Sequence, residues 1–364
     1  MPKFDKILVT GGCGFIGANF INYLFEETDF QGTVVNVDKL TYSGNPANLA
    51  AISQKHGGGR YLFEKIDIVD HVLIGELFER HGFDLIVHFA AESHVDRSIF
   101  GPGEFIQANI IGTFSLLEAA RKAAAQGRKC RFHHVSTDEV YGSLGPQGKF
   151  LETTPYDPRS PYSASKASSD HLVRAYAHTY GLDVTVSNCS NNYGPYQFPE
   201  KLIPLMICNM LDGKPLPVYG DGKNVRDWLY VRDHCDAIWS IVCRGGSGET
   251  YNVGGESEWC NIELLNHLCE SVAIRLGKPV EGFKKLITYV PDRPGHDRRY
   301  AIDCGKIKRG LGWKQSVDFQ HGLENTVAWY LSNPDWIKSV RSGEYRTWIS
   351  KNYENRLNQS SGQL

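Results

Sequence analysis

The chain has 364 residues, 39 basic and 41 acidic side chains, a formal net charge of -2 and 41% hydrophobic content. These values are typical of ordinary soluble proteins and exclude a disordered or fibrous chain. The near-neutral charge gives no general attraction to nucleic acid, so no nucleic-acid partner is predicted and phosphate recognition must be local. At about 150 residues per domain, the length predicts two domains.

The nine cysteines are scattered without a C-x-x-C pair. This pattern favours a reducing environment over a disulfide framework and has no metal-ligand spacing, so we predict a cytoplasmic protein without a metal. Residues 1–6 lead directly into an apolar strand and leave no room for the apolar core of a signal peptide. No apolar stretch reaches the ~18 residues of a membrane span, so no membrane partner is predicted.

Short apolar runs alternate with segments of helical periodicity through the first half of the chain. The predicted strands are 6–10, 33–38, 61–65, 84–89, 131–136 and 183–188. The predicted helices between them are 15–25, 71–81, 104–125 and 162–180. This alternation predicts an α/β fold with a Rossmann-like, doubly wound parallel sheet.

The texture changes after about residue 191, where glycine and proline cluster at 194–195, 213–217 and 220–222. We predict a first domain over 1–190, rejoined by 228–258, of which 228–242 and 250–253 return to the sheet as a helix and a strand. A second, smaller α/β domain is predicted from 191–227 and 259–357. The polar segment 358–364 is predicted to be a flexible tail.

A glycine loop joins the first strand to the first helix, with Gly11, Gly14 and Gly17 in G-x-x-G-x-x-G spacing. Such a turn lets backbone N–H groups approach a pyrophosphate at the helix N-terminus. A glycine triplet alone is a weak signal, but Asp38 ends the next strand about 20 residues further on, where an acid accepts the ribose hydroxyls. The acid would repel a 2′-phosphate, which predicts NAD rather than NADP.

Just past the third strand, Asp67 and Ile68 are predicted to hold the adenine through one polar and one apolar contact. The alternative is that Asp38 and Asp67 only cap neighbouring elements.

Tyr162 and Lys166 lie four residues apart at the start of a predicted helix, hence on one face. A tyrosine base working near neutrality needs a pKa ~3 units below its usual ~10. The Lys166 ammonium and a nicotinamide cation could supply that stabilisation. Alone, Y-x-x-x-K is an ordinary surface pair, but after a dinucleotide loop it predicts a catalytic pair.

Thr137, Asp138 and Glu139 follow the fifth predicted strand, and strand ends face the ligand crevice in open α/β sheets. If one carboxyl is protonated while the other is ionised, the pair could remove a carbon-bound proton and protonate a departing hydroxyl. That chemistry is an elimination of water. The alternative is that an acid caps the next turn while Thr137 is packed.

With these motifs the chain resembles the extended short-chain dehydrogenase/reductase superfamily, and within it the dTDP-glucose 4,6-dehydratases. The resemblance runs across nearly the whole chain and is carried by residues 11–17, 88–98, 137–139, 162–166, 190–195 and 292–297. The Thr-Asp-Glu triplet and the Asn-Asn-Tyr-Gly-Pro segment discriminate best, since a related sugar epimerase typically lacks the paired acids.

The resemblance implies a role for each of these side chains. Tyr162 would deprotonate the sugar 4-hydroxyl as hydride passes from C4 to NAD, with Thr137 bonding the reacting oxygen. Glu139 would then remove the C5 proton while Asp138 protonates the C6 hydroxyl, and the hydride would return to C6. The implied reaction converts dTDP-glucose to dTDP-4-keto-6-deoxy-glucose.

The remaining expectations concern binding residues. The predicted NAD contacts are Gly11, Gly14, Phe15, Ile16, Gly17, Asp38, Asp67, Ile68, Ala90, Tyr162, Lys166 and Asn192. The predicted nucleotide-sugar contacts are Ser93, Thr137, Asn191, Lys201, Leu202, Arg226, Asn261, Arg293 and His296. For the charged members the alternative is a solvated loop charge or a salt bridge between domains.

Three further features are interpreted from their position. His133 and His134 are adjacent on a strand and face opposite ways, so both are assigned to packing. Cys13 stands where related sequences usually have alanine, and could be oxidation-sensitive. Helical segments 105–124 and 162–180 are expected to pair across the two-fold axis of a homodimer, as in related dimers, unless they only face the sheet.

A 4-epimerase and a catalytically idle NAD-binding regulator remain the alternative functions.

Overall fold

The computed structural model of the chain describes residues 4–341, 343–349 and 352. The tail predicted at 358–364 lies outside these residues. The strands are β1 (Lys6–Thr10), β2 (Thr33–Val37), β3 (Tyr61–Glu64), β4 (Leu85–His88), β5 (Arg131–Thr137), β6 (Val184–Cys189), β7 (Asn191–Tyr193), β8 (Leu216–Tyr219), β9 (Val225–Tyr230), β10 (Thr250–Val253), β11 (Glu258–Cys260) and β12 (Ile287–Val290).

Helices cover both faces of the main sheet and build most of the second half of the chain. They are α1 (Phe15–Glu26), α2 (Ala50–His56), α3 (His71–His81), α4 (Val95–Phe100), α5 (Pro102–Phe105), α6 (Gly112–Ala125), α7 (Pro161–Tyr180), α8 (Leu202–Asp212), α9 (Val231–Arg244), α10 (Asn261–Leu276), α11 (Val280–Lys284), α12 (Gly305–Leu311), α13 (Phe319–Ser332), α14 (Pro334–Val340) and α15 (Gly343–Ile349). Short 3₁₀ turns at Pro46–Leu49 and Asp138–Tyr141 and a π-helix at Ile106–Ile111 complete the list.

The main sheet has seven strands in the order β10-β6-β5-β4-β1-β2-β3. All its pairings are parallel, and Ile7, Leu8 and Val9 of β1 are fully buried, as expected for a strand covered on both faces. The prediction of a Rossmann-like parallel sheet is therefore confirmed.

Helix α7 begins and ends at clear capping residues. Ser160 caps α7 through a reciprocal capping box with Ser163, and Pro161 occupies the first helical position. Gly181 ends this helix with a φ of 66°, a conformation that favours glycine. These local signals fix where α7 starts, and therefore where Tyr162 and Lys166 lie.

One predicted helix is wrong in its interior. The segment predicted as a single helix over 104–125 contains α5, the π-helix Ile106–Ile111 and α6. The π-helix directs Asn109 inward, where its side chain binds the backbone of Glu92 on both sides, donating to the carbonyl oxygen at 3.0 Å and accepting from the N–H at 2.8 Å. A periodicity argument cannot detect this extra residue per turn.

The second half of the chain packs around its own apolar cluster, which includes Met206, Leu264, Leu268 and Val327. It contains the three-stranded sheet β11-β9-β7 and the parallel pair β8 and β12. Strand β10 pairs with β6 at the edge of the main sheet, and α9 packs against α1. Trp228 lies in β9 rather than in the helix predicted to begin there, and the domain boundaries stay a prediction.

Candidate active site

A cleft opens at the carboxyl ends of β1, β4, β5 and β6. It consists of a larger cavity of about 290 Å³ beside the glycine loop and an adjoining cavity of about 160 Å³ toward α8 and β8. Glu139, Asn191, Glu200 and Lys201 line both cavities. The crevice beyond parallel strand ends is where ligands bind in open α/β sheets, so this is the candidate site.

The structure places every predicted site residue on this cleft. The larger cavity is lined by Gly11, Gly14, Phe15, Ile16, Gly17, Asp38, Asp67, Ile68, Ala90, Ser93, Thr137, Asp138, Glu139, Tyr162, Lys166, Asn191, Asn192 and Lys201. The smaller cavity adds Leu202, Arg226, Asn261, Arg293 and His296. All the predicted cofactor residues therefore line the larger cavity, whereas the predicted substrate residues are divided between the two cavities, and their contacts with ligands stay predictions.

The glycine loop is held too tightly to accept side chains. A Cβ on Gly17 would lie 2.4 Å from the Gly11 carbonyl oxygen, and one on Gly11 would lie 2.7 Å from the Ala90 backbone. Gly11 also has a φ of 71° and donates its N–H to the Val37 carbonyl at 2.8 Å. The loop therefore brings bare backbone to the start of α1, a site suited to phosphate oxygens.

Asp38 has structural partners as well as a place in the cavity wall. Its carboxylate accepts the N–H groups of Leu40 at 2.8 Å and Cys13 at 3.0 Å, and burial raises its pKa. Asp67 accepts the N–H of Val69 at 3.1 Å. The capping alternative thus describes real contacts, but neither acid is removed from the cavity by them.

Tyr162 and Lys166 are both buried and both line the larger cavity. Burial, then the nearby Glu139 charge, raise the pKa of Tyr162 well above its usual value, while a hydrogen bond with Thr137 acts in the opposite direction. The net effect of the surroundings is a raised phenol pKa, so Lys166 does not by itself supply the stabilisation that the sequence led us to expect. Burial lowers the pKa of Lys166 to about 8. A base at this position needs an added positive charge in the cavity.

The paired acids have different surroundings, as elimination chemistry requires. Asp138 is 1% exposed, and burial followed by the Glu139 charge raises its pKa well above the ordinary value. Burial also raises the pKa of Glu139, but Arg293, Lys201 and Arg226 oppose that change. The cations favour ionised Glu139, whereas Asp138 is favoured as the protonated partner.

Three of the predicted nucleotide-sugar contacts are cations that come from distant parts of the chain. Lys201 donates to the Ser93 carbonyl at 2.8 Å, and Arg293 pairs with Asp96 at 3.1 Å. Arg226 donates to the Val225 and Asp297 carbonyls at 2.8 and 3.0 Å. Because each is fixed by a partner, their remaining N–H groups have defined directions, which suits recognition of phosphate oxygens.

Several functional neighbours escaped sequence reasoning. Asp96, Asn109 and Asp170 are buried polar residues whose partners lie on other elements. Asp170 had a local signal, since it continues the four-residue spacing of Tyr162 and Lys166 along α7. The others depend on contacts that only the folded chain creates.

His134 and Cys13 require corrections. His133 bonds the hydroxyls of Thr185 and Ser187 on one face of the sheet, as assigned, but His134 on the other face lies 3.3 Å from the Lys166 ammonium and is therefore more than packing. Cys13 is fully buried, and burial raises its pKa to about 12, which disfavours the reactive thiolate.

The remaining cysteines are also unpaired, so all nine are free thiols. Within the described ranges, no cluster of three or more His, Cys, Asp or Glu side chains could hold a metal, and no helix is both long and apolar enough to span a bilayer.

Comparison with known proteins identifies the family of the chain. A family model described as GDP-mannose 4,6 dehydratase matches residues 8–326. A dTDP-glucose 4,6-dehydratase of Salmonella typhimurium is 54% identical over 365 residues, covering 96% of this chain and 99% of that protein. One from Xanthomonas campestris pv. campestris is 56% identical over 348 residues, covering 93% and 97%.

Solved structures agree with this placement. DesIV, a dTDP-glucose 4,6-dehydratase from Streptomyces venezuelae with NAD and TYD bound, is 47% identical with a TM-score of 0.84, covering 92% of this chain and 99% of that one. A UDP-glucose 4-epimerase from Thermotoga maritima with UDP-glucose is 31% identical with a TM-score of 0.80, covering 90% and 99%.

The fold and the site define an extended short-chain dehydrogenase/reductase. Within that class, the chain belongs to the dTDP-glucose 4,6-dehydratase family.

Proposed function

We propose that the protein is an NAD-dependent hydro-lyase that converts dTDP-glucose to dTDP-4-keto-6-deoxy-glucose. The observation that carries the proposal is the unequal acid pair at the end of β5. Asp138 is held toward its protonated form and Glu139 faces three cations, and both line the cavity that contains Tyr162. Relatives at 54 to 56% identity carry the dehydratase name, whereas the epimerase structure is 31% identical.

The larger cavity fits NAD. The glycine cradle leaves room for phosphate oxygens that a Cβ on Gly11 or Gly17 would fill, and Asp38 presents a carboxylate to the cavity. When bound, NAD supplies a hydride acceptor at C4 of the sugar and a hydride donor at C6. An oxidised nicotinamide beside Tyr162 would also provide the positive charge that the phenol lacks.

The side chains then divide the proton transfers. Tyr162 takes the proton of the 4-hydroxyl, with Thr137 bonding the same oxygen. The 4-ketone makes the C5 hydrogen acidic, and Glu139 removes it. Asp138 gives its proton to the C6 hydroxyl, so that water leaves with that oxygen and a C5=C6 bond forms. Addition of a hydride at C6 then requires a proton at C5, which protonated Glu139 would return. Arg226, Arg293 and Lys201 are suited to hold the diphosphate and to favour ionised Glu139.

The product mass tests this function. NAD-loaded protein incubated with dTDP-glucose should release a product lighter by one water. An unchanged mass with inverted C4 would establish an epimerase instead, and no turnover at all would favour an NAD-binding regulator. Replacing only the nucleotide base of the substrate would test the preference for dTDP, which rests on the relatives.

We also infer a homodimer that buries the outer faces of α6 and α7. These helices pack together in one chain, and Phe114 of α6 and Ile106 and Ile111 of the adjoining π-helix are 38 to 44% exposed. Exposed apolar groups on one face are typical of an interface. Light scattering should give twice the chain mass, and Phe114→Glu should shift it toward the monomer.

The nine free thiols support a reducing, cytoplasmic location.

A further inference from the structure

The face of α7 that carries the catalytic pair continues to a third charged residue. Tyr162, Lys166 and Asp170 are spaced by four residues, so they lie one above another on the helix. Tyr162 and Lys166 line the cavity, whereas Asp170 is fully buried behind it. A buried carboxylate is costly unless it is paired, so its partners indicate what it does.

One imidazole nitrogen separates Asp170 from Lys166. The Lys166 Nζ donates to the Val135 carbonyl at 2.9 Å and lies 3.3 Å from His134 Nε2. The same nitrogen lies 3.2 Å from Asp170 Oδ1. Among the residues that the structure describes, Lys166 forms no direct ion pair. The carboxylate therefore acts on the ammonium from behind the ring.

The surroundings of the Asp170 carboxyl group favour its ionised form. It accepts hydrogen bonds from the Tyr156 hydroxyl at 2.8 Å and the Asn188 amide at 3.2 Å. Burial opposes its ionisation, but His134 and the other partners outweigh burial and keep its pKa below the usual value. Asp170 is thus a fixed negative charge close to Lys166.

The histidine and cysteine side chains that face this pair are neutral near pH 7. Burial lowers the pKa of His134 on β5 to about 4 and that of His88 on β4, whose ring is 5.2 Å away, well below its usual value. Burial raises the pKa of the Cys189 thiol on β6 to about 12.

Arg174, one turn further along α7, donates to the Tyr156 hydroxyl at 2.6 Å and is the cation on the far side of Asp170. Asp170 is consequently the side chain that favours the charged form of Lys166 most strongly against burial.

We propose that Asp170 is a positioning residue that keeps Lys166 charged and directed into the cavity, with the His134 ring as a spacer. A direct ion pair would draw the ammonium away from Tyr162, whereas the spacer leaves the charge where the phenolate needs it. This inference rests on the proposed function, because it assigns Lys166 the task of stabilising the Tyr162 anion.

The test is the pH profile of NADH formation in NAD-loaded protein with dTDP-glucose, in a Glu139→Gln background that stalls before elimination. Asp170→Asn removes the charge and retains the shape. The alkaline limb, set by Lys166, should move down by about one pH unit, because the ammonium loses the nearby negative charge. The acid limb, set by Tyr162, should move up, because an ammonium that is less charged and less well positioned stabilises the phenolate less. Ser169→Ala is the matched control, because it removes a neutral contact 3.1 Å from the same His134 nitrogen. It should leave both limbs in place.

A second variant guards against misfolding of Asp170→Asn. Arg174→Met, at a partly exposed position, leaves Asp170 less neutralised, so the alkaline limb should move up. A readout apart from activity is the tyrosinate absorbance of NAD-loaded protein, taken as the difference from Tyr162→Phe. Its midpoint should rise in Asp170→Asn.

The outcomes separate the two proposals. Limbs and midpoint that stay in place, while NADH still forms, overturn the role of Asp170 alone. If Asp170→Asn does not fold, an unmoved alkaline limb in Arg174→Met overturns it. No NADH at any pH in the Glu139→Gln background with Asp170 intact overturns the proposed function instead.

Discussion

The two walls of the cleft are built in different ways. The wall beside β1 is made of backbone, since Gly11 and Gly17 approach Ala90 and each other too closely for any side chain. The opposite wall is made of charged side chains, with Glu139, Arg226 and Arg293 contributed by segments far apart in the chain. One wall therefore depends on local conformation, and the other on the tertiary fold.

Because the walls differ in this way, substitutions in one wall should impair a different property from substitutions in the other. Substitution in the backbone wall should change how the cofactor is held, whereas substitution in the side-chain wall should change proton transfer or substrate affinity while the cofactor stays bound. Tyr162 and Lys166 stand where the walls meet, so they do not discriminate between the two.

The largest effect is expected for Glu139→Gln on the side-chain wall. Loss of the base for the C5 proton should lower turnover about 100 to 10,000-fold. The first oxidation should survive, so NADH should accumulate on the protein, as stopped-flow absorbance would detect. The matched control is Glu79→Gln on the exposed face of α3, which should keep full turnover. Loss of NADH formation together with turnover would contradict the division of roles.

The next largest effect is expected for Gly17→Ala on the backbone wall. The new Cβ would lie 2.4 Å from the Gly11 carbonyl oxygen and 2.8 Å from Gly12 Cα, atoms that cannot move aside cheaply. Overpacking of this kind costs about 1–3 kcal/mol, so NAD affinity should fall about tenfold to a hundredfold. NAD retained through gel filtration measures it.

The control for that variant is Gly75→Ala inside α3, where an added Cβ meets nothing within 4 Å. It should retain NAD and gain up to about 1 kcal/mol in stability, because alanine favours helix. Equal retention of NAD by both variants would show that the backbone wall does not depend on glycine.

The same contrast explains what the sequence could predict. The six first-half strands, α1 and α7 follow from apolar runs, capping residues and glycine positions, which are local features. The glycine loop could be identified for the same reason. The π-helix could not be predicted, because it depends on the contact between Asn109 and the backbone of Glu92, and hydrophobic periodicity does not indicate such a contact.

The side-chain wall was predictable only through resemblance. Nothing near Arg293 in the sequence indicates that Asp96, 197 residues earlier, would pair with it. Likewise, a strand pattern shows which face His134 occupies but not that α7 covers that face, so the sequence predicts only packing for it. Tertiary contacts of this kind decide the charges of the site, and they lie beyond spacing arguments.

Acid sensitivity is the third test, and it falls on the side-chain wall. Burial disfavours the charged form of Asp96, but Arg293 and its other partners outweigh burial and lower its pKa to about 2. Because the pKa is near 3.9 in an unfolded chain, the ion pair contributes about 2 kcal/mol above pH 4, and this contribution is lost as the pH falls toward 2. Thermal unfolding of wild type and Asp96→Asn should therefore converge over that range.

The matched control for acid sensitivity is Asp335→Asn, at a carboxylate that is 95% exposed. It should differ little from wild type at any pH in that range. A gap between wild type and Asp96→Asn that stays constant from pH 4 to pH 2 would mean that the ion pair does not stabilise the fold.

The smallest effect is expected for Arg293→Lys. Lysine keeps the charge but cannot form the two-pronged contact of a guanidinium with both Asp96 and a phosphate oxygen. We expect KM for dTDP-glucose to rise about tenfold, equivalent to about 1.4 kcal/mol, with kcat changed only a few-fold. Arg298→Lys is the control, because this neighbouring arginine pairs with exposed Asp221 outside both cavities. If Arg293→Lys also released NAD, the two walls would not be independent, since a change confined to side chains would have altered the site made of backbone.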